Sequence, residues 1–415
     1  MKRQASSAPA APSRSKKPRP QVPDYHLTPS RRNGDGSAIW PAPEDQIERA
    51  REFILECVAA HQKTVIVPDK DADGLTSGAI LRRTLILLGL EPELIEGHIL
   101  EKGHTVHDEE ERRTLAAREP AYIFVLDQGS RKSPPPVTAC NSPPVATSSL
   151  LTYHICSGLH DDVEQQCDWL CVMGTHGDLG NTLKWEPPFP DMKPTFKKYT
   201  KKALNDAVSL INAPRRTASY NVPMAWEALL AAGSPSDLLK NRELLSARAE
   251  VNAEVERCTH TAPKFSADAR IAVFRISSQA QVHPVIATRW AGHLQSSKLE
   301  VVLVANEGYL PGMVNFSCRI PRSARARDPP VNIIETLRSL ADKAPDQTLR
   351  ERLGASFARG HKEASGGIVP KEEFEELMAV LEMDRKTSQP SVAKTKGSDG
   401  GNKQSNTLDM YFKKG

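Results

Sequence analysis

The chain has 415 residues, of which 39% are hydrophobic, 26% charged and 5% aromatic, with a formal net charge of +4. This composition suits two or three globular domains and excludes wholesale disorder. It advertises no aromatic-lined carbohydrate or choline site, and no apolar run approaches the roughly 20 residues that cross a bilayer.

The charge is unevenly placed. Residues 1–40 carry eight Lys/Arg against two Asp, and residues 384–415 carry seven against three, so the body between them is net acidic. Met1–Ala5 opens without an apolar stretch, so no secretory signal is expected. The seven cysteines contain no Cys-x-x-Cys pair and read as buried free thiols of a reducing compartment.

Residues 1–42, rich in Pro, Ser, Ala and Arg, are expected to be disordered, and Lys16-Lys17-Pro18-Arg19 reads as a nuclear import signal. Order is expected from Pro43, where Ile47, Ala50, Phe53, Ile54 and Val58 recur at helical spacing. A strand at Thr64–Val67 precedes Asp69-Lys70-Asp71-Ala72-Asp73-Gly74, followed by a helix over 75–90. The first half of Glu93–Leu100 is a second strand, 108–118 a helix, and Tyr122–Leu126 a third strand ending at Asp127. Strands and helices alternating in this way predict a parallel α/β sheet, with functional residues beyond the carboxyl ends of the strands. Helices are expected over 145–160 and 161–172, the second ending in a glycine-rich loop, Gly174–Gly180, that carries Asp178. Residues 193–260 read mainly as helix, interrupted near Ala213-Pro214. From Arg270 the alternation restarts, with strands near 271–276, 299–304 and 313–320 and helices near 285–293, 331–341 and 371–381. Residues 384–415 are again expected to be disordered.

The densest chemical signal is Asp69-x-Asp71-x-Asp73-Gly74-x-Thr76-Ser77. Three carboxylates at alternating positions repel one another unless a cation sits among them. Hard divalent ions take oxygen ligands, and two of them can clamp a phosphoester. Asp127 and Asp178 complete a set of four with Asp71 and Asp73, expected to converge at one sheet edge. Farther on, Arg319 offers a planar fork suited to phosphate, and Gly360, Gly366 and Gly367 would let backbone N–H groups approach an anion, with His361 between them.

Asp71-Ala72-Asp73-Gly74-Leu75-Thr76-Ser77 resembles the first motif of the DHH (Asp-His-His) phosphoesterases, closest to the RecJ-like exonucleases. Leu126–Ser130 resembles the second motif and Gly174–Asp178 the fourth. Leu210–Arg216 resembles an Asn-Ala-x-x-Arg segment of RecJ-like members, Ser317-Cys318-Arg319 the Ser-x-Arg strand of the DHH-associated domain, and Arg359–Gly367 its glycine/histidine motif. The resemblance implies Mn²⁺ or Mg²⁺ at Asp71, Asp73, Asp127 and Asp178, with Asp127 as bridging ligand or base. It implies substrate phosphate and sugar at Asn212, Arg216, Ser317, Arg319, Gly360, His361, Gly366 and Gly367. It further implies a parallel-sheet DHH domain (43–233), a helical connector (234–264) and a smaller mixed-sheet domain (265–383), with substrate between the two sheets.

One departure stands out: the chain contains no Asp-His-His. Between Asp127 and the helix expected near Val145 lies a segment with five prolines, which is poor material for the strand that carries this motif. Three functions follow: an impaired metal-dependent exonuclease on single-stranded DNA or RNA, a catalytically inactive binder of nucleic-acid ends, or a phosphoesterase of short oligonucleotides, cyclic dinucleotides or polyphosphate. Leu408, Tyr411 and Phe412 fall at i, i+3, i+4 and resemble the sliding-clamp-binding peptide of replication and repair proteins, which favours a DNA substrate and the nucleus.

Overall fold

A computed structural model describes residues 32–36, 39–129, 138, 139, 142 and 144–387. The import cluster, the clamp-like Leu408, Tyr411 and Phe412, and most of the segment where Asp-His-His is missing lie outside the described residues. No helix among the described residues is long and apolar enough to cross a membrane. Six cysteines are described, all buried and free.

The chain builds two sheets. The first has three parallel strands in the order β2-β1-β3, formed by β1 (Thr64–Pro68), β2 (Ile95–Gly97) and β3 (Tyr122–Leu126). β1 is central and buried along its whole length because both of its faces are covered. Ile66 joins the large core on one side, while Val65 and Val67 pack with Leu100 and Leu115 on the other. Helix α1 (Glu44–Ala60) precedes this sheet, α2 (Ala72–Leu87) links β1 towards β2, and α3 (Glu109–Ala116) leads into β3.

Helices α4 (Ser148–Ser157) and α5 (Asp162–Leu179) pack on α2. Cys167, Trp169, Leu170, Cys171, Val172 and Met173 are all buried, so the middle of α5 is enclosed by protein, while Asp162 and Glu164–Gln166 leave its first turns exposed. It also runs through the expected glycine-rich loop, which is a correction: Gly174 and Gly177 are helical, and Asp178 stands in the last turn of α5. Glycine is required at 174 because a Cβ there would strike Ser149 Oγ and Thr76 Oγ1, so the residue that reads as a breaker is a close helix contact.

Helices α6 (Lys193–Tyr199), α7 (Lys201–Ile211), α8 (Val222–Ala231), α9 (Pro235–Lys240) and α10 (Arg242–Thr259) lead to the second sheet. Its six strands run in the order β4-β5-β6-β7-β9-β8. They are β4 (Lys264–Phe265), β5 (Ile271–Ile276), β6 (Val301–Asn306), β7 (Met313–Arg319), β8 (Arg359–His361) and β9 (Ala364–Pro370). Only β5 and β6 pair in parallel. α11 (His283–His293) covers one face, and α12 (Ile333–Asp342) and α14 (Lys371–Thr387) cover the other; α13 (Leu349–Arg352) is a single turn. α14 continues past residue 384, into the stretch expected to be disordered. The Gly360–Gly367 segment is the β8–β9 hairpin rather than a loop. Gly366 and Gly367 sit in the ladder opposite Ser317 and Phe316, where a Cβ on Gly366 would strike the Phe316 carbonyl oxygen.

Candidate metal centre

The carboxyl end of β1 delivers Asp69 and Asp71 into the turn before α2. Asp71 is the N-cap of α2, its Oδ1 accepting from the N–H groups of Asp73 (3.1 Å) and Gly74 (3.2 Å). Gly74 is fixed by space: a Cβ there would lie 2.6 Å from the backbone N and O of Asp69. The hydroxyls of Thr76 and Ser77 turn back onto their own helix, donating to the carbonyls of Ala72 (2.7 Å) and Asp73 (2.6 Å).

Next door, β3 ends at Asp127, which adopts the left-handed region at φ 62°. That conformation costs energy for most residues and is tolerated best by Asp and Asn. Asp127 Oδ1 accepts from the hydroxyl of Ser148 at 2.8 Å. Asp69, Asp71 and Asp127 each present one carboxylate oxygen, and the three atoms lie within 4.8 Å of one another. Asp178, exposed in the last turn of α5, is near enough for its charge to act on Asp127 but is not one of the three carboxylates that converge. Asp73 is buried and faces α4: Ser148 N–H donates to its Oδ2 at 2.7 Å and Ser149 N–H to its Oδ1 at 2.9 Å.

Electrostatics follow from this crowding. Burial, then the charges of Asp73, Asp71 and Asp178, push Asp127 up to about 9. Asp178 is open to solvent at the end of α5, and desolvation among the carboxylates, then the charges of Asp73 and Asp71, raise it above the usual carboxylate range. Asp69 is raised by burial and by Asp71. Asp73 rises to about 6 through burial, against the opposing hydrogen bonds from Ser149 and Ser148. The cation nearest Asp71 is Arg215, at 4.0 Å from its Oδ2. Close-set hard oxygen donors with too little positive charge among them fit a divalent cation. Asp69, Asp71 and Asp127 could hold one.

The basic side of the site comes from the turn after α7. Asn212 Oδ1 accepts from Ala72 N–H (3.2 Å) and from Arg215 Nε (3.0 Å), so it ties this turn to α2 and aims Arg215 at Asp71. The Arg216 side chain makes no hydrogen bond or ion pair among the described residues, although its backbone donates to the Ala213 carbonyl and accepts from Gln281 N–H, each at 2.9 Å. Burial, then the Arg215 charge, pulls its guanidinium down to about 9. Arg319 extends from β7 on the same face as Ser317, donating from one terminal nitrogen to Ser317 Oγ (2.9 Å) and to the Cys318 carbonyl (2.8 Å). Arg319 and Arg216 are near enough to influence each other and the buried His283 at the start of α11. Arg216 and Arg319 thus approach each other beside His283, with Asn212 and Ser317 next to them in their own elements. Gly360, Gly366 and Gly367 serve strand packing, and His361 is placed by its backbone in β8.

Asp69 stood in the Asp-x-Asp-x-Asp alternation but outside the set of four expected to bind metal. Two more residues escaped sequence reasoning. Arg215 was masked by its neighbour Arg216, and His283 carried no signal at all. His176, two residues before Asp178, is committed elsewhere: its Nδ1 pairs with Asn205 Oδ1 (2.8 Å), and its Nε2 accepts from Trp185 Nε1 (3.2 Å).

No protein-family model matches the chain, and a search of curated proteins gives no match. Solved structures do match. A manganese-bound exonuclease RecJ aligns over 85% of this chain and 97% of its own, with a TM-score of 0.55 at 19% identity. RecJ of Thermus thermophilus in complex with Mn²⁺ aligns over 85% of this chain but 56% of its own, with a TM-score of 0.53 at 18% identity. This chain therefore spans little more than half the length of the Thermus protein. The DHH domain of a protein described as a member of a family of ribosomal proteins aligns over 81% of this chain and 90% of its own, with a TM-score of 0.55 at 14% identity. The chain has the RecJ-like DHH fold.

Proposed function

We propose that this protein is a metal-dependent phosphodiesterase acting on single-stranded nucleic acid, with turnover reduced by the missing histidine pair. The observation that carries this reading is the convergence of Asp69, Asp71 and Asp127 within 4.8 Å, at the carboxyl edge of the parallel sheet. Mn²⁺ or Mg²⁺ bound there would neutralise charge on a phosphoryl group and on the oxygen that attacks it. Around it, Ser148 holds Asp127 by its hydroxyl, Asn212 holds Arg215, and Ser317 holds Arg319. The Arg216 guanidinium, without a hydrogen bond or ion pair among the described residues, is the one left to receive phosphate. The Lys16–Arg19 cluster and the Leu408/Tyr411/Phe412 spacing support a nuclear DNA substrate within this reading.

A second reading, a binder of strand ends without turnover, is favoured by the donor set itself, which contains three carboxylates and no histidine. Incubation of the protein with Mn²⁺ and an end-labelled single strand separates the two. Slow, Mn²⁺-dependent shortening that disappears in Asp71→Ala and Asp127→Asn supports the first. Retention of an intact strand supports the second. Turnover at an ordinary enzyme rate of about 1–10³ s⁻¹ refutes the attenuation.

A further inference from the structure

The surface formed by α6 and α7 is unlike the rest of this acidic body. Lys193, Lys197, Lys198, Lys201 and Lys202 fall within ten residues, and all five are exposed. Thr200, at φ 59°, is at once the last cap of α6 and the first cap of α7, so one residue joins the two helices. That junction sets Lys197 and Lys198, in the last turn of α6, beside Lys201 and Lys202, in the first turn of α7. Lysines at a helix N-terminus oppose its dipole, typically by about 0.3–1 kcal/mol each, and no acidic residue occupies that turn to offset them. Lys202 pairs with Asp206 and Lys193 with Asp191. Lys197, Lys198 and Lys201 form no ion pair among the described residues.

Aromatic rings alternate with these lysines. Lys198 Nζ lies 4.8 Å from the centroid of the Tyr199 ring, and Lys201 Nζ 5.9 Å from that of Phe196. Phe196 stacks on His176 at 5.8 Å and lies 6.2 Å from Trp185. All of these rings but that of buried His176 are half-buried. The array is fixed to the last turn of α5, the turn that delivers Asp178. α7 then carries the chain from the lysines to Asn212 and Arg215, a span of roughly 16 Å at 1.5 Å per residue.

We infer that the α6–α7 surface is a docking track for single-stranded nucleic acid, on which Lys197, Lys198 and Lys201 hold the backbone while Tyr199 and its neighbouring rings stack bases. Unpaired cations interleaved with half-exposed rings are the chemistry that single strands select. An anionic membrane would use the cations without needing the rings. The track extends the nucleic-acid reading proposed above, and it gives the strand a second hold about one helix length from the carboxylate cluster.

The test is binding by the full chain in EDTA, read by fluorescence anisotropy of labelled single strands across a salt series. Each lysine that neutralises a phosphate contributes about 0.7 to the slope of log affinity against log salt, so Lys197→Ala/Lys198→Ala/Lys201→Ala should lower that slope by about 2. At 0.1 M salt this corresponds to a roughly ten- to a hundred-fold loss for a strand of about 20 nucleotides, while a dinucleotide, too short to span from the carboxylate cluster to the lysines, should bind the variant as it binds the parent. Tyr199→Leu, checked for folding by circular dichroism, should weaken the long strand with the slope unchanged. An unaltered slope, equal losses for both lengths, or lysine-dependent binding to anionic phospholipid vesicles in place of the strand overturns the proposal. Because no metal is present, this binding is read apart from cutting: a strand that binds through the lysines in EDTA but is never shortened once Mn²⁺ is supplied in excess sinks only the hydrolytic reading.

Discussion

Asp73 is bound to Ser148 across the site, its Oδ2 accepting the Ser148 backbone N–H at 2.7 Å while Oδ1 takes that of Ser149 at 2.9 Å. Asp73 therefore satisfies the first free N–H groups of α4 from another helix, and it couples the loop after β1 to the segment after β3. Asp71 does a smaller job of the same kind within α2. Asp73→Ala should lower the unfolding free energy by about 2 kcal/mol, since it leaves buried donors unpaired. Asp71→Ala should cost only about 1 kcal/mol, the usual loss for an N-cap. Urea denaturation orders the two. Equal losses, or the reverse order, would remove the capping role from Asp73.

Asp127 carries the heaviest electrostatic load. Burial and three neighbouring carboxylates hold it at about 9. The folded protein keeps a proton that the unfolded chain releases near pH 4. This group's contribution to stability is therefore present below that pH and is lost as pH rises towards 9, by up to about 1.4 kcal/mol per unit. Metal-free Asp127→Asn should then gain on the parent between pH 6 and pH 9. Mn²⁺ should reverse the ranking, stabilising the parent by about 2.7 kcal/mol at a hundredfold excess over Kd and the variant hardly at all. Urea midpoints at the two pH values, with and without Mn²⁺, check both halves. A variant whose advantage does not change with pH contradicts the first, and equal stabilisation of the two proteins contradicts the second.

What the sequence revealed and what it hid have separate physical causes. Thr64–Val67 and Tyr122–Leu126 were legible because an apolar run bounded by turn residues has few alternatives. Their carboxyl ends located Asp71 and Asp127, since a parallel sheet presents its strand ends at one edge. Asp178 was legible as a residue but not as a helical one, because glycine spacing cannot tell a loop from a helix pressed against Ser149 and Thr76. Glu111 lies in the helix expected over 108–118, beside Glu109 and Glu110. Yet it is buried and accepts from His98 Nε2, His104 Nδ1 and the Glu101 N–H, contacts made only once β2 and α3 have packed. Gly366 and Gly367 looked like a phosphate loop for a similar reason. Their small size serves Phe316 on the adjacent strand, which is 50 residues away in the chain.

The Arg216 guanidinium, unpaired among the described residues, and the braced Arg319 give a graded expectation for strand binding. Each should contribute a charge-assisted bond to phosphate, worth about 1.5–3 kcal/mol, so Arg216→Ala and Arg319→Ala should each weaken binding roughly ten- to a hundred-fold. Ser317→Ala leaves the Arg319 guanidinium in place with its Cys318 carbonyl contact, and should cost several-fold less. Titration of a labelled oligonucleotide in EDTA reads all three. An Arg319→Ala protein that binds as tightly as the parent, or a Ser317→Ala protein that binds as poorly as Arg319→Ala, breaks the scheme.

His283 opens α11 from a buried position, 4% exposed, with its Nδ1 lacking a partner and its ring 6.2 Å from that of Tyr309. Burial first, then the Arg319 and Arg216 charges, pulls it down to about 3. The sign is opposite to that of Asp127. Above about pH 6.5 the ring is neutral in both the folded and the unfolded chain and adds no pH dependence. Below it the unfolded chain takes up a proton that the folded protein refuses, so stability is lost as pH falls towards 3, by about 1.4 kcal/mol per unit. His283→Asn keeps a short polar side chain that does not titrate in this range. Relative to the parent it should be destabilised at pH 7 through lost packing, and it should recover about 2 kcal/mol of that difference by pH 5. Urea unfolding of both proteins from pH 7.5 to 4.5 measures the gap. A gap that stays constant across the series would mean that His283 protonates freely in the fold, and that the cleft between the sheets admits water to its Nδ1.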